Sequence, residues 1–109
     1  MKKVSKGIRV AKVSDLPPGE CGFVDADGVP LAVFNVDGSF YAIDDACPHQ
    51  GGPLSEGEID GCVVACPWHG WRFDLKNGHC IDPPGMPSVV TYRVYIEGDD
   101  LFVEIEQST

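Results

Sequence analysis

The turn pattern predicts an all-β chain, an antiparallel sandwich or small barrel. Asp27-Gly28, Asp37-Gly38, Asp60-Gly61, Asn77-Gly78 and Gly98-Asp99 recur along 109 residues. Asp-Gly and Asn-Gly pairs favour the φ > 0 conformations of tight hairpins. The segments between them are short and rich in β-branched and aromatic residues, which suit a pleated, half-buried surface. No segment of helical length carries apolar residues at a spacing of 3.6.

Each turn separates two expected strands. A first strand covers 8–13. Asp27-Gly28 divides 22–25 from 29–36, and Asp37-Gly38 divides 29–36 from 39–44. Asp60-Gly61 divides 59–60 from 62–65. Asn77-Gly78 lies between 72–74 and 79–81, and Gly98-Asp99 lies between 89–96 and 101–105. In the stretch 89–96, Thr91, Arg93 and Tyr95 alternate with Tyr92, Val94 and Ile96, the pattern of a half-buried strand. A short helical turn is expected after Val13, where Ser14-Asp15 can cap. Two regions break the strand rhythm: 46–57, and the Pro-Pro-Gly-Met-Pro-Ser run at 83–88.

Length implies one domain, 1–109. The 8 Lys and Arg against 17 Asp and Glu give a formal charge of −9. That argues against nucleic acid and against anionic membrane surfaces. It suits either solubility or steering onto a basic partner. The basic start MKKVSKGIRV leads into no apolar stretch of signal-peptide length, and no run reaches the ~20 apolar residues of a membrane helix. A cytoplasmic location is expected, where disulfides are uncommon. No Gly-rich nucleotide loop is present, so flavin or NAD belongs to a partner.

The chemistry concentrates in two segments, Cys47-Pro48-His49 and Cys66-Pro67-Trp68-His69. Each offers one thiolate and one imidazole, so each can ligate a metal from a single loop. A structural zinc site uses the same Cys₂His₂ set. Its common order pairs like residues, Cys-x-x-Cys then His-x-x-x-His, whereas both halves here are mixed and lie in Gly/Pro-rich loops. A Cys/His nucleophile leaves the second pair without a role. Cys21, Cys62 and Cys80 stand outside these segments and are expected as free thiols. His79 follows a turn and is expected in solvent.

With their flanks, Cys47-Pro48-His49-Gln50-Gly51-Gly52 and Cys66-Pro67-Trp68-His69-Gly70-Trp71, the segments resemble the Rieske family. The resemblance implies a β base carrying a small inserted cluster-binding subdomain at about 45–84. It implies a [2Fe–2S] cluster with Cys47 and Cys66 on one iron and His49 and His69 on the other. Imidazoles in place of thiolates make reduction easier. The added electron then belongs on the histidine side, and the outer histidine edge is where a partner docks.

Around the ligands, Gly51, Gly52 and Gly70 permit close backbone approach and unusual φ, which can aim N–H groups at sulfur. Pro83-Pro84-Gly85 matches the family's stiff flap on the far side of the cluster. Gln50, Trp68 and Trp71 flank the ligands. Trp68 and Trp71 can shield the cluster or form the docking face.

Family members in respiratory and photosynthetic cytochrome complexes have a disulfide where this chain has Gly52 and Trp68. They also have hydroxyl donors where it has Trp71 and Phe73. Losing donors to sulfur lowers the potential. The chain instead resembles soluble Rieske-type ferredoxins, which carry electrons from a flavin-dependent NAD(P)H reductase to a terminal ring-hydroxylating oxygenase. It also resembles the small subunit of NAD(P)H-dependent nitrite reductase, whose partner is the large subunit. Zinc-stabilised interaction modules and cluster-based redox sensors are the remaining alternatives.

Overall fold

A computed structural model describes residues 3–48 and 51–108. The described strands are β1 (Lys3–Lys12), β2 (Cys21–Ala26), β3 (Val29–Val36), β4 (Ser39–Asp44), β5 (Glu58–Asp60), β6 (Val63–Ala65), β7 (Arg72–Asp74), β8 (Cys80–Asp82), β9 (Thr91–Tyr92), β10 (Val94–Glu97) and β11 (Asp100–Ser108). They pair antiparallel in three sheets, ordered β1-β11-β10, β2-β3-β4-β9 and β5-β6-β7-β8. Among the described residues, no helix is long and apolar enough to cross a membrane.

β3 explains how the sheets stack. Successive side chains of a strand point to opposite faces. Leu31 and Val33 enter one core with Leu101, Val103 and Ile105 of β11. Ala32 and Phe34 enter a second core with Val64 of β6 and Phe73 of β7. β4 divides likewise, with Ala42 on the first side and Ile43 on the second. The middle sheet is thus covered on both faces, and the unbroken apolar run of β3 follows from that. Phe34 and Phe73 are fully buried. Each contributes about 1.5–3 kcal/mol of hydrophobic transfer.

The third sheet is an excursion from the second. β4 pairs directly with β9, matching Ala42 to Tyr92 and Ile43 to Thr91. The Asp44 amide donates to the Val90 carbonyl at 3.0 Å. Everything between leaves and re-enters the base at one place, so both Cys-containing loops are anchored by the same strand pair.

Two local expectations are corrected. The stretch 89–96 is not one strand. β9 pairs with β4 while β10 pairs with β11, and the chain changes sheets at Arg93, whose carbonyl accepts from the Glu104 amide at 2.9 Å. Alternation fails accordingly: Tyr95 is half-buried, stacked on Phe102 at 5.3 Å, and Ile96 is exposed. The turn after Val13 exists as a 3-10 turn, Val13–Asp15, but Lys12 is its N-cap residue. The Asp15 carboxylate reaches back to accept from the Lys12 amide at 3.1 Å.

Candidate metal centre

The two ligand loops are built alike. In the first, the Cys47 amide donates to the Gly52 carbonyl at 2.9 Å, and the Gly51 amide donates to the Cys47 carbonyl at 2.7 Å. In the second, the Cys66 amide donates to the Trp71 carbonyl at 2.7 Å, and the Gly70 amide donates to the Cys66 carbonyl at 2.9 Å. Cysteine, the glycine four positions on and the acceptor five positions on match one for one. The glycines turn the chain at φ +77° for Gly51 and +75° for Gly70, a region that a Cβ disfavours. Their own amides are engaged in closing the loops.

Folding sorts the donors by depth. Cys47 and Cys66 are each 3% exposed and share the second core with Leu54, Val64, Phe73 and Cys80. His69 is exposed, and Trp68 beside it is 56% exposed. His49 and Gln50 lie outside the described residues. Trp71 is half-buried against the same core, and Phe73 is fully inside it.

The loops meet at Gly52. A Cβ built there would lie 3.0 Å from Cys66 Sγ and 3.0 Å from Trp68 Cγ and Cδ2. The positions that carry a disulfide in cytochrome-complex relatives are therefore neighbours here, filled by bare backbone and an indole.

Several supports were not predicted. The Asp45 carbonyl accepts from the Leu54 amide at 2.7 Å, and its carboxylate accepts from the Ser55 amide at 2.8 Å. Together they pin a 3-10 turn, Leu54–Glu56, that closes the first loop. An Asp ahead of a Gly/Pro-rich loop is the available cue, since such carboxylates bond nearby amides. The Cys21 thiol donates to the Ser55 carbonyl at 3.1 Å. The Cys80 thiol donates to the Pro83 carbonyl at 3.2 Å, holding the start of the Pro83-Pro84-Gly85 turn. Burial pushes both thiols up from their ordinary range, so they stay protonated donors. Cys21, Cys62 and Cys80 are in no disulfide. His79 is exposed.

Among the described residues, no three His, Cys, Asp or Glu side chains converge as around a single ion. A binuclear cluster asks for only two protein donors on each iron. Two sequestered thiols on twin loops, with an imidazole at the exposed edge of one, suit that division.

Comparison with known proteins decides the class. The Rieske [2Fe-2S] domain model matches residues 6–93. The chain belongs to the Rieske [2Fe-2S] domain family. Its cofactor is accordingly a Rieske-type [2Fe–2S] cluster, not the zinc of the alternative reading. This Rieske chain is 39% identical over 102 residues to the 3-phenylpropionate/cinnamic acid dioxygenase ferredoxin subunit of Shigella boydii serotype 4 (strain Sb227), covering 93% of this chain and 95% of that one. It also resembles a chain in the solved complex of reduced oxygenase and oxidized ferredoxin in carbazole 1,9a-dioxygenase, with 35% identity, TM-score 0.83, and 89% and 91% of the two chains covered. The putative NADH-dependent nitrite reductase small subunit of Mycobacterium tuberculosis shares the Rieske fold at TM-score 0.86 and 26% identity, with 94% and 96% covered.

Proposed function

We propose that this chain is a ferredoxin that passes single electrons from a flavin-dependent NAD(P)H reductase to a terminal ring-hydroxylating oxygenase in the cytoplasm. Residues of about 45–84 form its cluster-binding subdomain. Cys47 and Cys66 hold one iron, and His49 and His69 hold the other. When bound, the cluster supplies reversible one-electron chemistry at low reorganisation cost.

The residues of the chain do the rest. Twin hydrogen-bonded closures fix the shape of the loops around the two cysteines. Burial keeps water from the thiolate side. The Pro83-Pro84 turn, held by Cys80, bounds the centre. Exposure of His69 and Trp68 gives the electron a short route to a docked partner.

The depth gradient from buried Cys66 to exposed His69 carries the reading. A carrier needs a protected cofactor with one edge open, and buried Cys66 beside exposed His69 meets that need. Identity separates the partner classes better than fold. The nitrite reductase likeness is the greater in TM-score but the lower in identity, and identity follows surface as well as core.

The test is stopped-flow reduction of the protein by a dioxygenase-type flavoprotein reductase, followed by mixing with the terminal oxygenase. Reduction and re-oxidation by the oxygenase are expected. Reduction followed by electron delivery only to a nitrite reductase large subunit would move the chain to that system. Failure to accept an electron from any reductase would contradict the carrier role.

A further inference from the structure

Trp68 and Gly52 stand on different ligand loops, and their contact has a consequence for how the centre is kept closed. We infer that the Trp68 indole, seated on the bare backbone of Gly52, is a non-covalent latch that holds the two loops together and retains the cofactor. The inference rests on the proposed cluster reading of these loops.

Three observations support it. First, Gly52 is buried although it is not at positive φ, so turn geometry does not explain the glycine. Space does: a Cβ there would press at 3.0 Å on Trp68 Cγ and Cδ2 and on Cys66 Sγ. Contacts this tight force a neighbour to shift. Second, Gly52 also closes its own loop, because its carbonyl accepts from the Cys47 amide at 2.9 Å. Moving Gly52 therefore loosens Cys47, while moving Trp68 opens the seam beside Cys66. Third, Trp68 is 56% exposed. Of the covered part, Cγ and Cδ2 lie over Gly52, 3.0 Å from where a Cβ would stand. The remaining face stays available to a partner, so one side chain both shields and docks.

The contrast with Gly51 and Gly70 sharpens this. A Cβ at either meets nothing within 4 Å, and both stand at positive φ. Those glycines serve backbone shape, while Gly52 serves the fit between loops.

The latch predicts coupled behaviour in a double-mutant cycle. The readout is the rate of cluster release, followed by visible absorbance in excess iron chelator. Gly52→Ala pushes the indole off its seat by a few tenths of an ångström and Trp68→Ala removes it, so each speeds release several-fold. Because the Trp68 contact is shared, the double variant releases more slowly than the product of the two single effects, while the new Cβ still presses on Cys66 Sγ at 3.0 Å in both Gly52→Ala variants. Trp68→Phe keeps an aromatic plate over Gly52 and restores release to near the wild-type rate. It also restores the wild-type line shape of the reduced cluster's electron paramagnetic resonance signal, which loosened loops broaden.

Effects that multiply in the double variant, or no rescue by Trp68→Phe, would overturn the latch. If Gly52→Ala holds no cluster at all, Trp68→Ala against Trp68→Phe decides alone. A fast Ala variant with a slow Phe variant supports the latch, and equal rates contradict it. Wild-type protein that contains no iron and sulfide would instead defeat the cluster reading itself, an outcome distinct from any of these.

Discussion

At the scale of single residues, two side chains set the expected redox behaviour. Trp71 and Phe73 occupy the positions where high-potential relatives carry hydroxyl donors. Trp71 is half-buried against the core that holds Cys47 and Cys66, and Phe73 is fully buried within it. Neither offers an O–H to sulfur. A midpoint at the low end of the Rieske span, on the order of −150 mV, is expected. Trp71→Ser with Phe73→Tyr returns two hydroxyl donors and should raise it by roughly 130–260 mV, at about 1.5–3 kcal/mol per charge-assisted hydrogen bond and one electron. Protein-film voltammetry measures both. A wild-type midpoint well above zero would contradict the account. Cys47, Cys66 and His69 stand out in the sequence as candidate ligands because a metal centre needs particular atoms at a particular spacing. Asp45 and Cys80 do not. They act through amides and carbonyls, and almost any polar residue could have been read the same way.

Among elements, the join between β4 and β9 bears the excursion that carries both loops. The Tyr92 hydroxyl donates to the Asp44 carboxylate at 2.5 Å across this join. Burial first, and then this bond, raise the Tyr92 phenol far above its ordinary value near 10. The protonated phenol is the form the fold stabilises. Its contribution is complete below about pH 10 and declines as pH rises beyond it, because the unfolded chain ionises first. Tyr92→Phe should cost about 1 kcal/mol at neutral pH, discounted for partial exposure. It should also flatten the loss of stability between about pH 10 and 11. Urea unfolding at several pH values tests this, and an unchanged alkaline slope would refute it. A second element-scale outcome concerns Leu54, which is fully buried between the base and the first loop. Leu54→Ala should destabilise the chain by about 2–5 kcal/mol, seen as a lower urea midpoint.

Strand existence was legible, since β3, β4 and β7 follow directly from the turn residues that bound them. The break at Arg93 was not. Local alternation is the same whether a strand pairs with β4 or with β11, and only tertiary pairing makes the chain switch sheets. The 3-10 turn at Leu54–Glu56 was missed for a related reason. Three residues give no periodicity, and the turn is held by Asp45 from outside itself.

For the whole molecule, charge and exposure combine. The net −9 creates a field that favours encounter with a basic face, and Glu56 and Glu58 line the groove that reaches Cys66, Pro67 and Gly70. Reduction by the reductase should slow as salt rises, since screening shortens the field to roughly 8 Å at physiological ionic strength. Trp68→Ala should slow it further, with the midpoint measured alongside so that lost docking is told apart from a loosened centre. Rates indifferent to salt would leave the acidic surface a matter of solubility.

The central claim is that both loops together ligate one cluster through two cysteines and two histidines. The chain has three histidines, so nitrogen itself can be counted. The direct measurement is pulsed electron paramagnetic resonance of the dithionite-reduced protein labelled with ¹⁵N-histidine. The account predicts two strongly coupled imidazole nitrogens in wild type, both retained in His79→Gln and one lost in His69→Cys. Absence of strong nitrogen coupling, or couplings that survive His69→Cys unchanged, would contradict it.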